Sequence, residues 1–596
     1  MQSPPSTPER YEYRPLGLDE IRLIKLAPAS QGVELQCEVL HVSIEGRSYE
    51  ALSYTWGSDK KTHVIAVGST KIGITTNLYQ ALYHLRHQDI DRILWADALC
   101  INQGDTQERN HQVNYMAQIF SSASEVIIWL GPEQEDVKLA LEAFRESDST
   151  IARYGDSYVQ SMHSKETGVP DVPRIDEGVI SSILALARRK WFTRLWVVQE
   201  ATLAKKATIT CGRLSIPFDT ILRVTKHWRK HDFIFLPRNE AIRPVLAMNT
   251  ITGLEHHKAP LLELLRLTKA FESSDPRDRI FALMSLVSDD ANLGFEVDYS
   301  LSCAALYTQM AKHWIMQFKS LTLLRRAGLA LHSGDIDIPS WVPDWSICDR
   351  IYVELGDKSF RATRSTTATP RVNDSNGLEL SAIFIDNIKV IGKEMLPPGL
   401  QSENSILGRR HSWLKDVSRV PNIGSLFADL NYLSKYLNPY PSGENIEHVK
   451  RRTAIFGISG WDKFVDEYQS VYASCQIDPS FDYVPLSCNV ATRNPDRSDD
   501  LVRSDLKKDE YLSIISAYAR CRMLCTTDRG YLGWVPDITR KGDSVFIFLG
   551  APVPFVVRPA GDDVYRLIGQ CYIDGIMCGE ALALENDPTE KNITLI

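Results

Sequence analysis

The stretch RKWFTRLWVVQEATLA (residues 189–204) places one carboxylate, Glu200, close behind Trp191, Trp196 and a pair of valines. Those residue types allow two readings. Glu200 ends a core segment and turns to water, paired with Arg194 or Lys205, or it sits in a pocket lined by the aromatics and does chemistry. A second group lies upstream in YTWGS, ADALCINQGD and WLGPE, which hold Tyr54, Trp56, Asp97, Asn102, Gln103 and Asp105. This polar and aromatic set is richer than loop closure needs. It also has a structural reading, in which Trp56 and Trp129 plug the ends of a sheet and Asp97 accepts from loop amides.

The elements that must carry these residues are legible from periodicity. VELQCEVLHVSI (33–44) and YEALSYTWGS read as strands, and HVIAVGSTKIGIT as a hairpin turning near Gly68 and Ser69. TNLYQALYHLRHQ (76–88) has Leu78, Ala81, Leu82 and Leu85 at helical spacing, and RILWADALCI (92–101) reads as a buried strand. Asp105, with Glu108 three residues on, caps a second helix whose inward face is Val113, Met116, Ile119 and Phe120. EVIIWLGP then closes the unit as a strand. Alternating strands and helices predict a parallel α/β sheet, and ligands of such sheets gather where the carboxyl ends of the strands meet the loops.

Composition narrows the function. The chain has 596 residues, 44% hydrophobic and 24% charged, with net charge -8. That is an ordinary soluble globular composition without the basic stripe that nucleic-acid binding requires. At about 150 residues per domain, three or four packed units are expected. The N-terminus lacks a signal-peptide pattern and no run of about 18 apolar residues occurs, so neither secretion nor a membrane span is expected. The 11 cysteines have no framework spacing and read as reduced cytosolic thiols; Cys521, Cys525, Cys571 and Cys578 lack zinc-site spacing. No G-x-S-x-G, H-E-x-x-H or glycine-rich phosphate loop is present. The pairs His84/His87 and His256/His257 read as surface or capping residues, and DPRDRIFAL (275–283) as a helix start knit by ion pairs.

Four blocks together carry a resemblance. YEALSYTWGS, LWADALCINQGDTQERNHQVNYMAQIFSSASEVIIWLG, WFTRLWVVQEA and DPRDRIFALMSLV resemble, in this order, the signature blocks of the fungal heterokaryon-incompatibility (HET) domain. IPSWVPDWS (338–346) and the C-terminal stretch from CRMLC onward resemble segments that accompany it in proteins with a single HET domain. The resemblance implies a cytoplasmic protein of the non-self recognition and programmed-cell-death repertoire of filamentous fungi. The family is also distantly similar to Toll/interleukin-receptor (TIR) domains, some of which cleave NAD in a kind of innate immunity. Their pattern of a Trp followed by a catalytic Glu falls here on Trp196 and Glu200. On that reading Glu200 is catalytic, stabilising the positive charge of an oxocarbenium-like transition state. Ser53, Tyr54, Trp56, Asp97, Asn102 and Trp196 form the substrate-binding set. NAD is then the candidate substrate, and no cofactor or metal is implied.

The expected architecture is a 1–16 disordered arm and a 17–300 HET domain, a TIR/flavodoxin-like parallel sheet with an insertion over about 132–188. A mixed, mainly helical 301–510 region and a small 511–596 β-rich module follow. The insertion reads as a lid or partner arm, or as a sign that Glu200 lies elsewhere. CAALYTQMAKHWIMQF, FVDEYQSVYASCQ and DEYLSIISAYARCRML read as helices and ELSAIFIDNIKVIG as a strand pair, while Asp-Arg-Gly and Ala-Gly-Asp-Asp read as hairpin turns. Two alternatives stand beside NAD cleavage: a non-catalytic oligomerising scaffold, and recruitment of the fold to a small-molecule biosynthetic step. Candidate partners are a second copy of the chain, an incompatibility partner protein and a nucleotide ligand. The sharpest expectation is geometric, that Tyr54, Trp56, Asp97, Trp196 and Glu200 converge on one pocket.

Overall fold

The computed structural model describes residues 11–29, 34–58, 60–155, 177–230, 240–288, 295–347, 360–391, 439–454, 521–582 and 590–596, with a few single positions between. The chain divides into two compact units, Met1–Ser302 and Cys303–Ile596, against the three or four expected from length. The first unit is built on a nine-stranded mixed sheet. Its strands are β1 (Glu20–Leu26), β2 (Gln36–Ser43), β3 (Glu50–Tyr54), β4 (His63–Val67), β5 (Thr70–Ile74), β6 (Arg92–Trp95), β7 (Glu125–Trp129), β8 (Ala207–Cys211) and β9 (Leu214–Pro217). They lie in the order β5-β4-β2-β1-β6-β3-β7-β8-β9.

At the centre, β6, β3, β7 and β8 are parallel neighbours. β3 and β7 are buried along nearly their whole length, as parallel strands covered on both faces must be. The hairpin read from HVIAVGSTKIGIT is β4–β5. Helix α1 (Thr76–Leu85) buries the four apolar residues expected of it behind a Thr75 cap.

The strand read over 92–101 is shorter than expected. β6 ends at Trp95, and Asp97–Cys100 forms a helical turn, α2. The Asp97 carboxylate accepts from the Ala98 amide at 2.7 Å. This is the local bond by which aspartate favours a helix start over a strand, and it places Asp97 at the end of β6.

Helix α3 (Thr106–Ser122) starts where the sequence indicates. Asp105 accepts from the amides of Gln107 and Glu108 at 2.9 and 3.1 Å. Glu108 does not reach back to complete a capping box; it accepts from the Asn102 amide at 2.6 Å. Replacing Asp105 by Ala leaves two helix amides without this acceptor, and urea melts are expected to show a loss of about 1 kcal/mol.

The expected insertion is, in its described part, the crossover from β7 to β8. Helix α4 (Glu135–Tyr154) buries Val137, Ala140, Leu141 and Phe144 on one face. It packs against α5 (Glu177–Ala187) and against α8 (Phe218–Lys230), with the Phe144 and Trp228 rings 5.4 Å apart. These helices form a covering layer of the sheet, and residues 156–176 lie outside the described ones. Two short helices, α6 (Lys190–Thr193) and α7 (Val197–Thr202), complete the crossover.

The arm expected to be disordered over 1–16 is seated from Tyr11. Its amide donates to Lys71 O at 3.2 Å and the Tyr13 hydroxyl to Leu99 O at 3.3 Å. Its two tyrosines give it apolar surface to bury, which a purely polar arm lacks.

The second unit begins with the helix read from CAALYTQMAKHWIMQF, Cys303–Phe318. ELSAIFIDNIKVIG is one strand, β11 (Leu378–Ile391), not a pair, preceded by the short β10 (Arg371–Val372). A bulge between Phe384 and Asp386 bends it. The Asp386 carboxylate serves the irregularity by accepting from the Asn387 and Arg529 amides.

The other strands are β12 (Arg522–Thr527), β13 (Leu532–Pro536), β14 (Ser544–Phe548), β15 (Phe555–Gly561), β16 (Val564–Gln570), β17 (Tyr572–Ile573) and β18 (Glu590–Leu595). β11 pairs with both β14 and β18, so β11, β14, β15, β16 and β18 close into a ring. The β-rich module therefore reaches back to residue 378, into the stretch read as mixed and mainly helical, because one long bent strand belongs to both sides of the closed barrel. Both expected turns are hairpins, β12–β13 and β15–β16.

IPSWVPDWS fastens the barrel. Ser340 Oγ accepts from the Leu567 amide at 2.8 Å and the Trp341 indole donates to Asn376 O at 2.9 Å. Cys525 and Cys571 are buried thiols, whereas Cys578 is exposed. FVDEYQSVYASCQ and most of DEYLSIISAYARCRML lie outside the described residues.

Candidate functional site

The site is assembled at the carboxyl end of β3. Ser53 and Tyr54 are adjacent there and, as neighbours on a strand, project to opposite faces. Glu200 lies on α7, buried to 4% exposure, and accepts a short hydrogen bond from the hydroxyl of Ser53, which is 1% exposed. The Trp191 indole donates to the same Ser53 oxygen at 2.7 Å. Arg194, in the extended link between α6 and α7, donates to Tyr54 O at the end of β3. Across the sheet end, the Trp56 indole donates to Asp97 Oδ2 at 2.7 Å.

The two carboxyl groups share one electrostatic setting. Burial pushes Glu200 up to about 7, the nearby Asp97 charge pushes the same way, and Arg194 and the Ser53 hydroxyl pull against them. Burial also holds Asp97 above the usual carboxylate range, opposed first by Arg194 and then by the Trp56 indole and the Ala98 amide. The phenol of Tyr54, buried beside Asp97, is held well above its ordinary value by burial and then by that carboxylate. Its hydroxyl faces Asp97 without a well-formed hydrogen bond. The arrangement offers an acid–base group poised near neutrality, a second carboxyl group and one guanidinium. No group of side chains suited to a metal occurs among the described residues.

Ser53 and Glu200 thus form one hydrogen-bonded pair and Trp56 and Asp97 another, with Tyr54 beside Asp97, both at the carboxyl end of β3, while two expected members join neither. Trp196 is the residue before the first turn of α7, and its indole faces the carboxylate of Asp278, whose charged form it favours. Asp278 accepts from the Tyr299 hydroxyl at 2.6 Å, and DPRDRIFAL also holds the Asp275–Arg277 ion pair. Asn102 closes its own loop, its side chain accepting from the Gly104 amide at 3.2 Å. The aromatic partner in the Glu200 network is Trp191, nine residues upstream. Its contact depends on the break at Arg194, which no periodicity announces.

Comparison with known proteins fits these elements. Residues 49–200 match the family described as "Heterokaryon incompatibility protein (HET)", and residues 447–591 match the "Het-6 beta-barrel domain". The chain thus carries a HET-type domain and a Het-6-type barrel domain. It is 26% identical to "Heterokaryon incompatibility protein 6, OR allele" of Neurospora crassa, with 94% of each chain covered. No solved structure matches significantly. The HET match runs from the residue before β3 to Glu200 itself. It therefore contains Ser53, Tyr54, Trp56, Asp97, Trp191, Arg194 and Glu200, and it omits β1, β2, β8 and β9.

Proposed function

We propose that this HET protein acts in fungal non-self recognition and cell death, and that its N-terminal unit does so by cleaving the nicotinamide–ribose bond of NAD. The observation that carries the reading is the placement of Glu200, a buried carboxyl group fixed by Ser53 at the carboxyl end of β3, beside Arg194 and Asp97. In chain order the parallel strands β3, β6, β7 and β8 lie second-first-third-fourth. That is how flavodoxin-like sheets begin, and their ligands sit where the order reverses, here between β3 and β7. The TIR analogy of the sequence is supported to this extent.

In the reaction, the C1′–N bond breaks and its electron pair leaves with nicotinamide. Water adds to C1′, giving ADP-ribose and a proton. Ionised Glu200 stabilises the positive charge on the ribose, and half-buried Trp56 offers a ring face to the nicotinamide or adenine. A second reading, a non-catalytic assembly module, is favoured by the depth of Glu200 and Ser53, 4% and 1% exposed. No helix among the described residues is long and apolar enough to cross a membrane.

NAD turnover by the full-length chain over a range of concentrations separates the readings. Nicotinamide release is expected from the wild type and to fall at least about 100-fold in Glu200→Ala, with matched melts showing both folded. Silence of both at every concentration would leave the assembly module as the reading.

A further inference from the structure

The hydrogen-bond chain that ends on Glu200 has a direction. An indole nitrogen can only donate, whereas a serine hydroxyl has one proton to give and lone pairs to accept with. The Trp191 N–H occupies a Ser53 lone pair at 2.7 Å. Among the described residues the only acceptor for the Ser53 proton is Oε2 of Glu200. Turning the hydroxyl away would strand a buried O–H, because Ser53 is 1% exposed. Oε1 accepts no hydrogen bond from the described residues.

We infer that Trp191 and Ser53 are positioning residues for Glu200: the indole fixes the direction of the hydroxyl, the hydroxyl holds Oε2, and Oε1 is left to exchange protons and meet a ligand. The functional weight of Oε1 rests on the NAD reading above, but the relay itself does not need a substrate to be observed. The charged groups facing Glu200 are Arg194, from the α6–α7 link, and Asp97, from α2. Neither reaches the Ser53 hydroxyl, so the direction of the relay belongs to Trp191. The bond donated by Ser53 stabilises the ionised carboxylate. Removing it, or letting the hydroxyl turn to accept from the neutral acid, favours protonation.

The test is an infrared titration of the full-length chain carrying 13C-labelled glutamate, with the spectrum of Glu200→Gln subtracted to isolate the Glu200 band. The wild-type midpoint is expected near 7. Ser53→Ala is expected to raise proton affinity about tenfold, and Ser53→Thr, which keeps a hydroxyl, to restore it. Trp191→Phe keeps a ring and loses only the donor, and is expected to raise the midpoint in the same direction by a smaller amount. A shift in Ser53→Ala with none in Trp191→Phe overturns the directing role of the indole, and no shift in either overturns the relay. If Trp191→Phe does not fold, the wild-type indole N–H resonances decide. One of them is expected to move with the Glu200 midpoint, and a set in which none moves overturns the proposal. Because the midpoint is read without nucleotide, a chain that leaves NAD intact can still show the relay, and one that cleaves NAD can still lack it.

Discussion

Glu200→Gln is expected to stabilise the unit that holds it, by an amount that grows with pH. Near pH 4 the substitution is close to neutral, since Gln resembles the protonated acid and its carbonyl can still accept from Ser53. At pH 8 the gain reaches about 3 kcal/mol. The figure follows from the displacement of the carboxyl from its ordinary 4.5 to about 7, each tenfold change in proton affinity being worth about 1.4 kcal/mol. The sign follows from proton uptake. Between those two values the folded chain holds a proton on Glu200 that the unfolded chain has released, so wild-type stability falls as pH rises through the window. Gln has no proton to lose and escapes the fall. Urea melts of both proteins at pH 5, 6, 7 and 8 check this, and a difference that stays flat or shrinks with pH would show that burial does not dominate the Glu200 environment.

The same displacement bears on the proposed chemistry. Only the ionised carboxylate can stabilise a cationic ribose, so NAD cleavage is expected to rise through pH 7 where the unit loses stability. A carboxylate kept at a stability cost, in a unit that Gln would stabilise, is the pattern of a group retained for its chemistry. The assembly reading has no use for the ionised form, and for it the pH dependence of the melts would have no counterpart in activity.

How far the sequence reveals this site depends on the range of each interaction. The parallel centre of the sheet, the β4–β5 hairpin, α1 and the Asp105 cap were readable because they depend on local periodicity and on capping groups within four residues. Ser53, Tyr54, Trp56 and Asp97 were readable as a group because strand ends in a parallel sheet share one edge. The helical turn at Asp97 was not, since RILWADALCI is apolar enough to pass for one strand and the switch depends on a single carboxylate–amide bond. The partners of Glu200 were misassigned for a related reason. Trp196 does stand in helical relation to Glu200, whose amide donates to Trp196 O at 3.3 Å, but the Trp196 indole faces Asp278, and the aromatic that reaches Ser53 is Trp191, 138 positions away in sequence. In the second unit, ELSAIFIDNIKVIG was readable as strand but not as one long barrel strand, because its pairings are with strands more than 150 residues away, which composition cannot report.

Glu108→Ala is expected to cost about 3–5 kcal/mol, more than any other single change considered, because of what it leaves behind. The Arg22 side chain has no exposed surface. Its guanidinium grips Glu108 with two bonds of 2.6 and 2.9 Å, and it also donates to Cys100 O at 3.1 Å and Arg14 O at 2.6 Å, under the ring of Tyr13. Without Glu108 a buried positive charge loses its counter-charge, and the Asn102 amide loses its acceptor. Replacing both partners with apolar residues, Arg22→Met with Glu108→Leu, removes charge and counter-charge together and is expected to recover most of the loss. The bonds to Cys100 and Asn102 bracket the loop that begins at Asp97, so the damage should extend to the site. Hydrogen exchange of the peptide spanning residues 96–105 is expected to speed up in Glu108→Ala beyond what global destabilisation explains. A loss below about 1 kcal/mol, the range of an exposed pair, would mean that water reaches the guanidinium and that the arm does not seal it.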